Sequence, residues 1–250
     1  MKIGVLKETV SGESRVAATP ETVKKMIALS HSVSIEAGAG IQASISDEDY
    51  QNNGADIVSR DQALKSDLLL MVRPLTEKEI TTLKPTQFIV GMLEPFNNEL
   101  QNLLKKQGVS AFALEALPRN TRAQSMDVLS SQANIAGYKA VILAADYYKK
   151  FMPMLMTAAG TVKAAKVIVL GAGVAGLQAV ATAKRLGAVV EASDVRPSVQ
   201  EQIESLGGKF IEVPFETEEE KECAIGQGGY AKPMPKSWLT RQSKIVAEKA

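Results

Sequence analysis

The chain has 250 residues, of which 45% are hydrophobic, enough for a packed core in one large or two ordinary domains. Its formal net charge is +1, and no run of lysine and arginine is long enough to follow a nucleic-acid backbone. The single cysteine, Cys223, excludes an internal disulfide, no metal-ligand cluster surrounds it, and the N-terminus lacks the apolar core of a signal peptide. We therefore expect a soluble globular protein of a reducing, cytosolic setting, with no metal site and no nucleic-acid partner.

The first 123 residues alternate short β-like runs with amphipathic helical patterns. Strands that alternate with helices favour a parallel sheet of the doubly wound type. We therefore predict a first α/β domain over residues 1–123. Its strands are predicted at residues 3–6, 33–36, 55–58, 68–72, 88–92 and 110–114, and its helices at residues 21–29, 47–53 and 97–106.

Residues 124–150 contain no proline, a single glycine and no strand pattern. This composition predicts a long helix that links two domains. Four of its residues form a small, polar stripe at helical spacing, namely Asp127, Ser130, Asn134 and Gly137. Taken by itself, such a stripe is more often a solvated or closely packed face than a binding surface.

Residues 166–194 read as a strand, a glycine-rich turn, a helix and a second strand that ends in an acid. The first strand stops at Gly171, Gly173 and Gly176, which have the G-x-G-x-x-G spacing. In such a turn the first glycine permits the tight bend, the second lets the backbone approach a pyrophosphate, and the third lets the helix pack closely. The helix predicted at residues 174–186 would point its free N–H groups at the phosphates. This order predicts a dinucleotide site.

Asp194 ends the second strand of this unit, where a carboxylate can accept hydrogen bonds from both ribose hydroxyls of an adenosine. The same charge repels a 2′-phosphate, so it favours NAD(H) over NADP(H), although Arg196 leaves some room for NADP(H). We predict that the cofactor contacts the turn and the strand end. These residues are Gly171, Gly173, Val174, Ala175, Gly176, Asp194, Val195 and Arg196.

Beyond Asp194 the pattern predicts a helix, a short strand, an acidic run that is most simply a solvated face, an irregular loop and a last helix. These lie at residues 198–206, 209–213, 216–222, 226–237 and 238–250. Only three of the six strands of a complete Rossmann domain are then visible, and the strand at residues 167–170 is an open edge. We therefore predict an α/β fold with two doubly wound, Rossmann-like domains joined by the long helix. The second, over residues 151–250, is the first half of an NAD(H)-binding domain whose remainder is missing or separately encoded.

Three segments together resemble the NAD(H)-binding domain of the alpha subunit of proton-translocating nicotinamide nucleotide transhydrogenases, which are related to alanine dehydrogenases. They are residues 4–20 (GVLKETVSGESRVAATP), residues 117–138 (LPRNTRAQSMDVLSSQANIAGY) and residues 157–210 around the glycine turn. The second segment is the most specific to the transhydrogenase branch. In the first segment, Leu6 stands where proline is common, and Ser11-Gly12 stand where an Asn-Glu-like pair is common.

The resemblance implies that part of the small, polar stripe binds cofactor, which reverses the interpretation of that stripe as a solvated or packed face. The side chains that it implies at the nicotinamide end of NAD(H) are Arg119, Gln124, Asp127 and Ser130. It also implies that the loop at residues 226–234 closes over the cofactor and brings Tyr230 and Met234 near it.

The resemblance further implies the reaction and its partners. Hydride passes between NADH and an NADP(H) that is bound on a partner domain, and no acid or base of this chain takes part. The implied partners are a second copy of the chain, the NADP(H)-binding domain and a membrane-embedded proton channel subunit. The implied location is cytoplasmic, peripheral to the inner membrane.

Two other hypotheses stay open at this point. An alanine dehydrogenase would need a histidine and a lysine for its substrate. The only histidine here, His31, is far in sequence from the matching place, and Arg73 stands in the lysine's place. The other hypothesis is a truncated remnant that binds adenosine without catalysing a reaction.

Overall fold

The computed structural model describes residues 1–118, 120–225 and 231–250. By its internal contacts the chain divides into two compact units, Met1–Val128 and Leu129–Ala250. This boundary lies within the segment predicted as a linking helix. A 3-10 turn at Gln124–Met126 comes first, and the helix itself begins at Val128, four residues later than predicted. The assignment of a separate function to each predicted domain stays a prediction.

The first unit contains one parallel sheet with helices between its strands. The strands are β1 (Lys2–Val5), β2 (Ser32–Glu36), β3 (Asp56–Val58), β4 (Leu68–Leu70), β5 (Phe88–Gly91) and β6 (Ser110–Ala113). The helices are α1 (Pro20–Ala28), α2 (Asp47–Asn52), α3 (Arg60–Ala63), α4 (Glu77–Ile80) and α5 (Asn98–Gln107). The strand order is β3-β2-β1-β4-β5-β6, so the direction of winding reverses between β1 and β4. This is the doubly wound order 3-2-1-4-5-6.

The sequence determines where these helices begin and end. Helix α1 begins with Pro20 after Thr19, whose hydroxyl accepts the amide of Thr22, and the Thr22 hydroxyl in return accepts the amide of Thr19. Helix α5 ends at Gln107 and is capped by Gly108, which has a φ of 74°, the left-handed conformation that glycine adopts without strain. Buried aliphatic side chains from the strands and helices form two clusters of the core, one of them around Tyr50.

The second unit contains a smaller parallel sheet and an antiparallel hairpin. Its strands are β7 (Leu155–Thr157), β8 (Gly160–Val162), β9 (Lys166–Leu170), β10 (Val189–Ser193) and β11 (Lys209–Phe210). Its helices are α6 (Val128–Tyr148), α7 (Val174–Arg185), α8 (Gln200–Ser205), α9 (Glu218–Ile225) and α10 (Lys236–Lys249). The parallel strands follow the order β11-β10-β9, which is the 3-2-1 half of a Rossmann sheet. Strands β7 and β8 pair with each other.

The predicted fold class is confirmed: the chain is α/β, with a six-stranded and a three-stranded parallel sheet. In register, Val169 lies beside Ala192 and Leu170 beside Ser193. Within the described part of the chain, β9 pairs with β10 on one side and has no strand on the other, as predicted for an open edge. Leu170, at the end of β9, is 65% exposed.

The interpretation of the acidic run at residues 216–222 as a solvated face was wrong for one residue. Glu220 lies on α9 and is fully buried. Its carboxylate accepts hydrogen bonds from the guanidinium of Arg241 at 2.6 Å, the amide of Glu216 at 2.7 Å and the hydroxyl of Ser237 at 3.0 Å. Burial of the charge is possible because these donors replace water. Two neighbours, Glu218 and Glu219, are exposed as predicted.

Candidate functional site

The glycine turn between β9 and α7 is shaped by three glycines with different environments. Gly171 has a φ of 92°, and its amide donates to the carbonyl of Ser193, so the turn is tied to the end of β10. A Cβ on Gly176 would lie 1.7 Å from the carbonyl oxygen of Gly171, and only glycine lets the helix approach so closely. A Cβ on Gly173, in contrast, would have its nearest atom 4.0 Å away. The space beside Gly173 is where a pyrophosphate could approach the backbone.

Helix α7 begins at this turn, with Gly173 as its extended N-terminal cap. No side chain caps the helix among the described residues, and its first turn has no acid. The first-turn amides of Val174, Ala175 and Gly176 are therefore free of side-chain acceptors and favour an anion at this end of the helix. Helix α6 packs against the same turn, because a Cβ on Gly137 would lie 2.0 Å from the carbonyl oxygen of Ala175. Gly137 thus serves close packing.

Asp194 follows β10 directly and connects the strand end to the glycine turn. One carboxylate oxygen, Oδ2, accepts the amide of Ala172 at 2.7 Å. The other, Oδ1, accepts the amide of Arg196 at 2.8 Å and its Nε at 2.9 Å, while Nη2 of Arg196 donates to Oδ2 at 3.0 Å. The side chain of Asp194 is only 6% exposed. The carboxylate thus accepts two backbone and two guanidinium hydrogen bonds.

These contacts keep Asp194 ionised. Burial by itself raises the pKa of a carboxyl group, but the hydrogen bonds from the Arg196 side chain and from the amides of Arg196 and Ala172 outweigh it. The pKa of Asp194 therefore lies below its ordinary value. In the same pair, the hydrogen bond to Asp194 raises the pKa of Arg196. The site thus presents a fixed negative charge with a positive charge beside it.

A pocket lies next to Asp194 at the carboxyl ends of β10 and β11. Strand ends of this kind are where open α/β sheets bind ligands. Three aromatic side chains, those of Phe210, Phe215 and Trp238, form part of its wall. The remaining lining residues are Asp194, Val195, Pro197, Gln200, Glu212, Val213 and Pro214.

The residues predicted at the nicotinamide end are placed in several ways. Gln124 lies in the 3-10 turn and is exposed, and Asp127 is half-buried directly before α6. Both belong to the first unit, whereas Ser130 lies in the first turn of α6 in the second unit. Met234 is half-buried, two residues before α10. Arg119 and Tyr230 lie outside the described residues.

Sequence reasoning missed the aromatic wall of the pocket. The strand at residues 209–213 was predicted, so the rule that ligands bind beyond strand ends could have indicated Val213 and Phe215. No sequence signal indicated Trp238, which reaches the pocket from α10, more than forty residues after Asp194.

Arg73, which the sequence resemblance matches to the lysine of an alanine dehydrogenase, lies in the first unit, three residues after β4. Its Nε donates to Glu13 at 3.1 Å, while its amide donates to Glu8. Arginine is a poor general acid or base, so it does not replace the lysine.

Two family models cover most of the chain. Residues 4–136 match the alanine dehydrogenase/PNT N-terminal domain, and residues 140–246 match the alanine dehydrogenase/PNT C-terminal domain. The chain belongs to the alanine dehydrogenase/PNT family.

Similar members of the alanine dehydrogenase/PNT family include transhydrogenases and alanine dehydrogenases. An NAD(P) transhydrogenase alpha-subunit chain of Rhodospirillum rubrum is 48% identical over 98% of this chain and 65% of its own length. The crystal structure of transhydrogenase from Sinorhizobium meliloti has a TM-score of 0.82 at 49% identity, over 85% of this chain and 64% of that one. An L-alanine dehydrogenase structure has a TM-score of 0.75 at 27% identity, over 96% of this chain and 71% of that one. The chain thus spans just under two thirds of these two transhydrogenase chains, and about half of the longer NAD(P) transhydrogenase alpha subunit of Haemophilus influenzae.

The lengths and apolar content of the helices bear on whether any of them could span a bilayer. No helix within residues 1–118, 120–225 and 231–250 is both long enough and apolar enough to cross a membrane.

Proposed function

We propose that this chain is the NAD(H)-binding component of a proton-translocating transhydrogenase. The observation that carries the proposal is the ionised Asp194, which is hydrogen-bonded to the amide of Ala172 within the glycine turn. It supports the proposal because it holds a carboxylate, which could accept hydrogen bonds from a ribose, next to a helix N-terminus that favours phosphate. The transhydrogenase relatives, at more than 40% identity, support the same assignment.

The residues of the second unit fit an NAD(H) molecule. Amides of the first turn of α7 would bind the pyrophosphate beside Gly173, where a Cβ would meet nothing closer than 4.0 Å. Asp194 would accept hydrogen bonds from the adenosine ribose. Its carboxylate already accepts four hydrogen bonds from described protein donors. The Arg196 side chain would therefore have to release at least one of its hydrogen bonds to make room for a ribose hydroxyl. Val195 lies in the wall of the adjoining pocket.

In the proposed reaction the nicotinamide rings carry the chemistry: a hydride leaves C4 of NADH with both electrons and adds to C4 of NADP⁺, giving NAD⁺ and NADPH. No proton passes to or from this chain in that transfer, so it needs no general acid or base. The protein's contribution is position, because correct placement of two reactants lowers the barrier. We assign that role to Arg119, Gln124, Asp127 and Ser130, with Tyr230 and Met234 near the cofactor.

The proposed partners are a second copy of this chain, an NADP(H)-binding domain and a membrane-embedded proton channel subunit. The chain would lie on the cytoplasmic side, peripheral to the inner membrane through those partners. Apolar side chains on and beside the β7–β8 hairpin support association, because Phe151, Met154 and Met156 are each more than half exposed. Light scattering tests the proposed homodimer. A measured mass equal to that of one chain, at the concentration used in the assays, would refute it.

A binding and exchange experiment tests the function. The purified chain is titrated with NADH and with NADPH, and hydride transfer is then followed with an added NADP(H)-binding domain. We expect preferential binding of NADH. Gln124→Ala and Asp127→Ala are expected to slow transfer at least about tenfold while the affinity for adenosine nucleotides stays within about twofold, because placement of the ring controls the rate. Gln51→Ala, on the exposed surface of α2, is the matched control. Unchanged transfer in both variants would remove the nicotinamide assignment.

The alanine dehydrogenase alternative is favoured by the similarity to the L-alanine dehydrogenase structure. Against it, Arg73 holds the lysine's position and is paired with Glu13. Oxidation of NADH by the purified chain with pyruvate and ammonia would support this alternative over ours. Binding of NADH without any hydride transfer to a competent partner would instead support the non-catalytic remnant.

A further inference from the structure

A buried ion pair joins α9 to α10 in the second unit. Oε2 of Glu220 accepts Nη2 of Arg241 at 2.6 Å, and Oε1 of Glu220 accepts the hydroxyl of Ser237 at 3.0 Å. The side chain of Glu220 is 1% exposed and that of Arg241 is 20% exposed. Replacing two buried charges by uncharged groups of similar volume is often neutral or stabilising, so stability alone does not explain such a pair. Its further contacts indicate what else it does.

The same pair holds the segment at residues 212–216, which follows β11. Nη2 of Arg241 also donates to the carbonyl of Pro214 at 3.1 Å, and the amide of Glu216 donates to Oε2 of Glu220 at 2.7 Å. Within the described part of the chain, these are the hydrogen bonds that backbone groups of the segment form, since the ladder between β10 and β11 ends before it. Hydrogen bonds from Glu220 and Arg241, and not the sheet, therefore fix the backbone of this segment.

The segment at residues 212–216 forms part of the wall of the pocket next to Asp194. The ring of Phe215 stacks on that of Trp238, with centroids 6.2 Å apart and planes inclined by 16°. Trp238 lies in the first turn of α10, so this helix holds the segment by ring stacking as well as through Arg241. The residues that the segment contributes to the wall are Glu212, Val213, Pro214 and Phe215.

We propose that Glu220 and Arg241 are positioning residues, which order this wall of the pocket in advance for the adenosine of the bound nucleotide. The proposal rests on the proposed NAD(H) site, in which Asp194 accepts hydrogen bonds from the adenosine ribose. The base attached to that ribose would lie close by, and the adjoining pocket has the aromatic residues Phe210 and Phe215 in its wall, which suit a purine. A segment that is already ordered costs less entropy on binding, so the pair would raise the affinity without contacting the nucleotide.

A double variant tests the pair without leaving one buried charge alone. Glu220→Gln combined with Arg241→Met removes both charges and the hydrogen bonds of Arg241 to the segment, while it nearly keeps the side-chain volumes, so we expect the fold to be retained. We expect 5′-AMP to bind about threefold to tenfold more weakly in calorimetry, because the ligand must then order the segment itself. Lys249→Met is the matched control, since it removes another ion pair of α10, the one with Glu191 at 3.7 Å, and should leave the AMP affinity unchanged.

Two readouts separate positioning from a general loss of stability. With an added NADP(H)-binding domain, the apparent KM for NADH should rise by about the same factor as the AMP dissociation constant, and the maximal rate should stay within about twofold. Trp238, the only tryptophan of the chain, should become more accessible to quenching by acrylamide, because its ring stacks on Phe215 in the loosened wall. A maximal rate that falls by the same factor as the affinity, with a lower unfolding temperature, would overturn the proposal.

A measurement on the unmodified chain does not depend on whether the variant folds. The amide of Glu216 is expected to exchange slowly with solvent in the ligand-free chain, because its hydrogen bond to Glu220 exists before binding. Fast exchange that becomes slow on addition of AMP would show that the ligand orders the segment, and would overturn the proposal. An AMP affinity of the folded double variant within about twofold of the wild-type value would overturn the role of the pair alone. Failure of the wild-type chain to bind either AMP or NADH would overturn the proposed function as well.

Discussion

Replacing Arg196 by glutamine is expected to strengthen the preference for NADH over NADPH. The guanidinium of Arg196 donates to both carboxylate oxygens of Asp194, at 2.9 and 3.0 Å. It therefore offsets part of the negative charge that would repel a 2′-phosphate. Glutamine has a polar side chain without the charge, so in the variant that repulsion acts with less compensation.

The size of the effect follows from the charges. A carboxylate at −1 and a 2′-phosphate near −2, held roughly 6 Å apart, repel by about 1–3 kcal/mol at an effective dielectric constant of about 40–80. The Arg196 side chain is 23% exposed, so solvent screens it only in part. We therefore expect its positive charge to cancel about 1–2 kcal/mol of that repulsion. The ratio of the NADPH and NADH dissociation constants should then rise about 5-fold to 30-fold. Nη2 of Arg196 lies 4.0 Å from the Cβ position of Gly173, but any contact to the pyrophosphate is common to both cofactors and cancels in the ratio.

The assay measures both dissociation constants by nucleotide fluorescence, at low and at high ionic strength, because salt screens the repulsion. Arg185→Gln is the matched control, since Arg185 is the last residue of α7 and a 12-residue helix puts it roughly 18 Å from the glycine turn. A ratio for Arg196→Gln within about twofold of the wild-type ratio at low salt would refute the reasoning. A ratio below the wild-type value would show the opposite role. Arg196 would then help Asp194 to discriminate against NADPH, by holding its carboxylate in position.

Three further substitutions have definite expected outcomes. Gly176→Ala should destabilise the second unit by about 3 kcal/mol or more, because its Cβ would lie 1.7 Å from the Gly171 oxygen. Gly173→Ala should leave the unfolding temperature unchanged, because its Cβ meets no close neighbour. It should nevertheless bind NADH about tenfold more weakly, since the added methyl group occupies the space beside the helix N-terminus. Hydrogen bonds from the Arg15 side chain lower the pKa of Glu13 from 4.5 to about 2. Ionised Glu13 should therefore contribute on the order of 3 kcal/mol above pH 4.5, lost as the pH falls towards 2, and Glu13→Gln should make stability less dependent on pH in that window.

Each of these outcomes can be contradicted by a simple measurement. Similar unfolding temperatures for the two glycine variants would contradict the close approach at Gly176. If Gly173→Ala binds NADH as tightly as the wild-type chain does, the pyrophosphate does not bind beside Gly173. If Glu13→Gln unfolds along the same acid limb as the wild-type chain in urea titrations at about pH 2–5, Glu13 is not the group that titrates.

The parts of the fold that depend on local sequence were predicted well. Strand β9, the glycine turn and helix α7 lie within one residue of their predicted bounds. Here hydrophobic pattern, turn residues and helix signals all occur within thirty residues and agree. The open edge at β9 was predicted for the same reason, since counting strands requires only that each strand be recognised.

Strand ends and the hairpin were predicted less well, because tertiary contacts decide them. The predicted strand at residues 68–72 ends at Leu70, and beyond it the amide of Val72 donates to the carboxylate of Glu8, 64 residues earlier. The hairpin formed by β7 and β8 was not predicted, since its six strand residues are all exposed and show no buried face. Propensity in such a segment does not decide between strand and coil.

Glu220 shows a different limit of sequence reasoning. The nearby acids Glu218, Glu219 and Glu222 are exposed, and the pattern gave no reason to separate Glu220 from them. Its burial depends on Arg241, which lies 21 residues later in the sequence. A buried charge requires a specific partner, and one sequence does not show which distant residue supplies it.

The site is organised before a nucleotide binds, and this has a consequence for how it would select a cofactor. The glycine turn is tied to β10 by the amide of Gly171 and by the contact of Ala172 with Asp194. The turn itself therefore has little order left to gain on binding, so its share of the affinity would depend on the exchange of hydrogen bonds at the carboxylate of Asp194. A ribose hydroxyl must replace a donor of Arg196 there, and a charge-assisted bond is exchanged for a neutral one. The released guanidinium then needs an anion, and the pyrophosphate beside Gly173 is the nearest that the proposed cofactor provides.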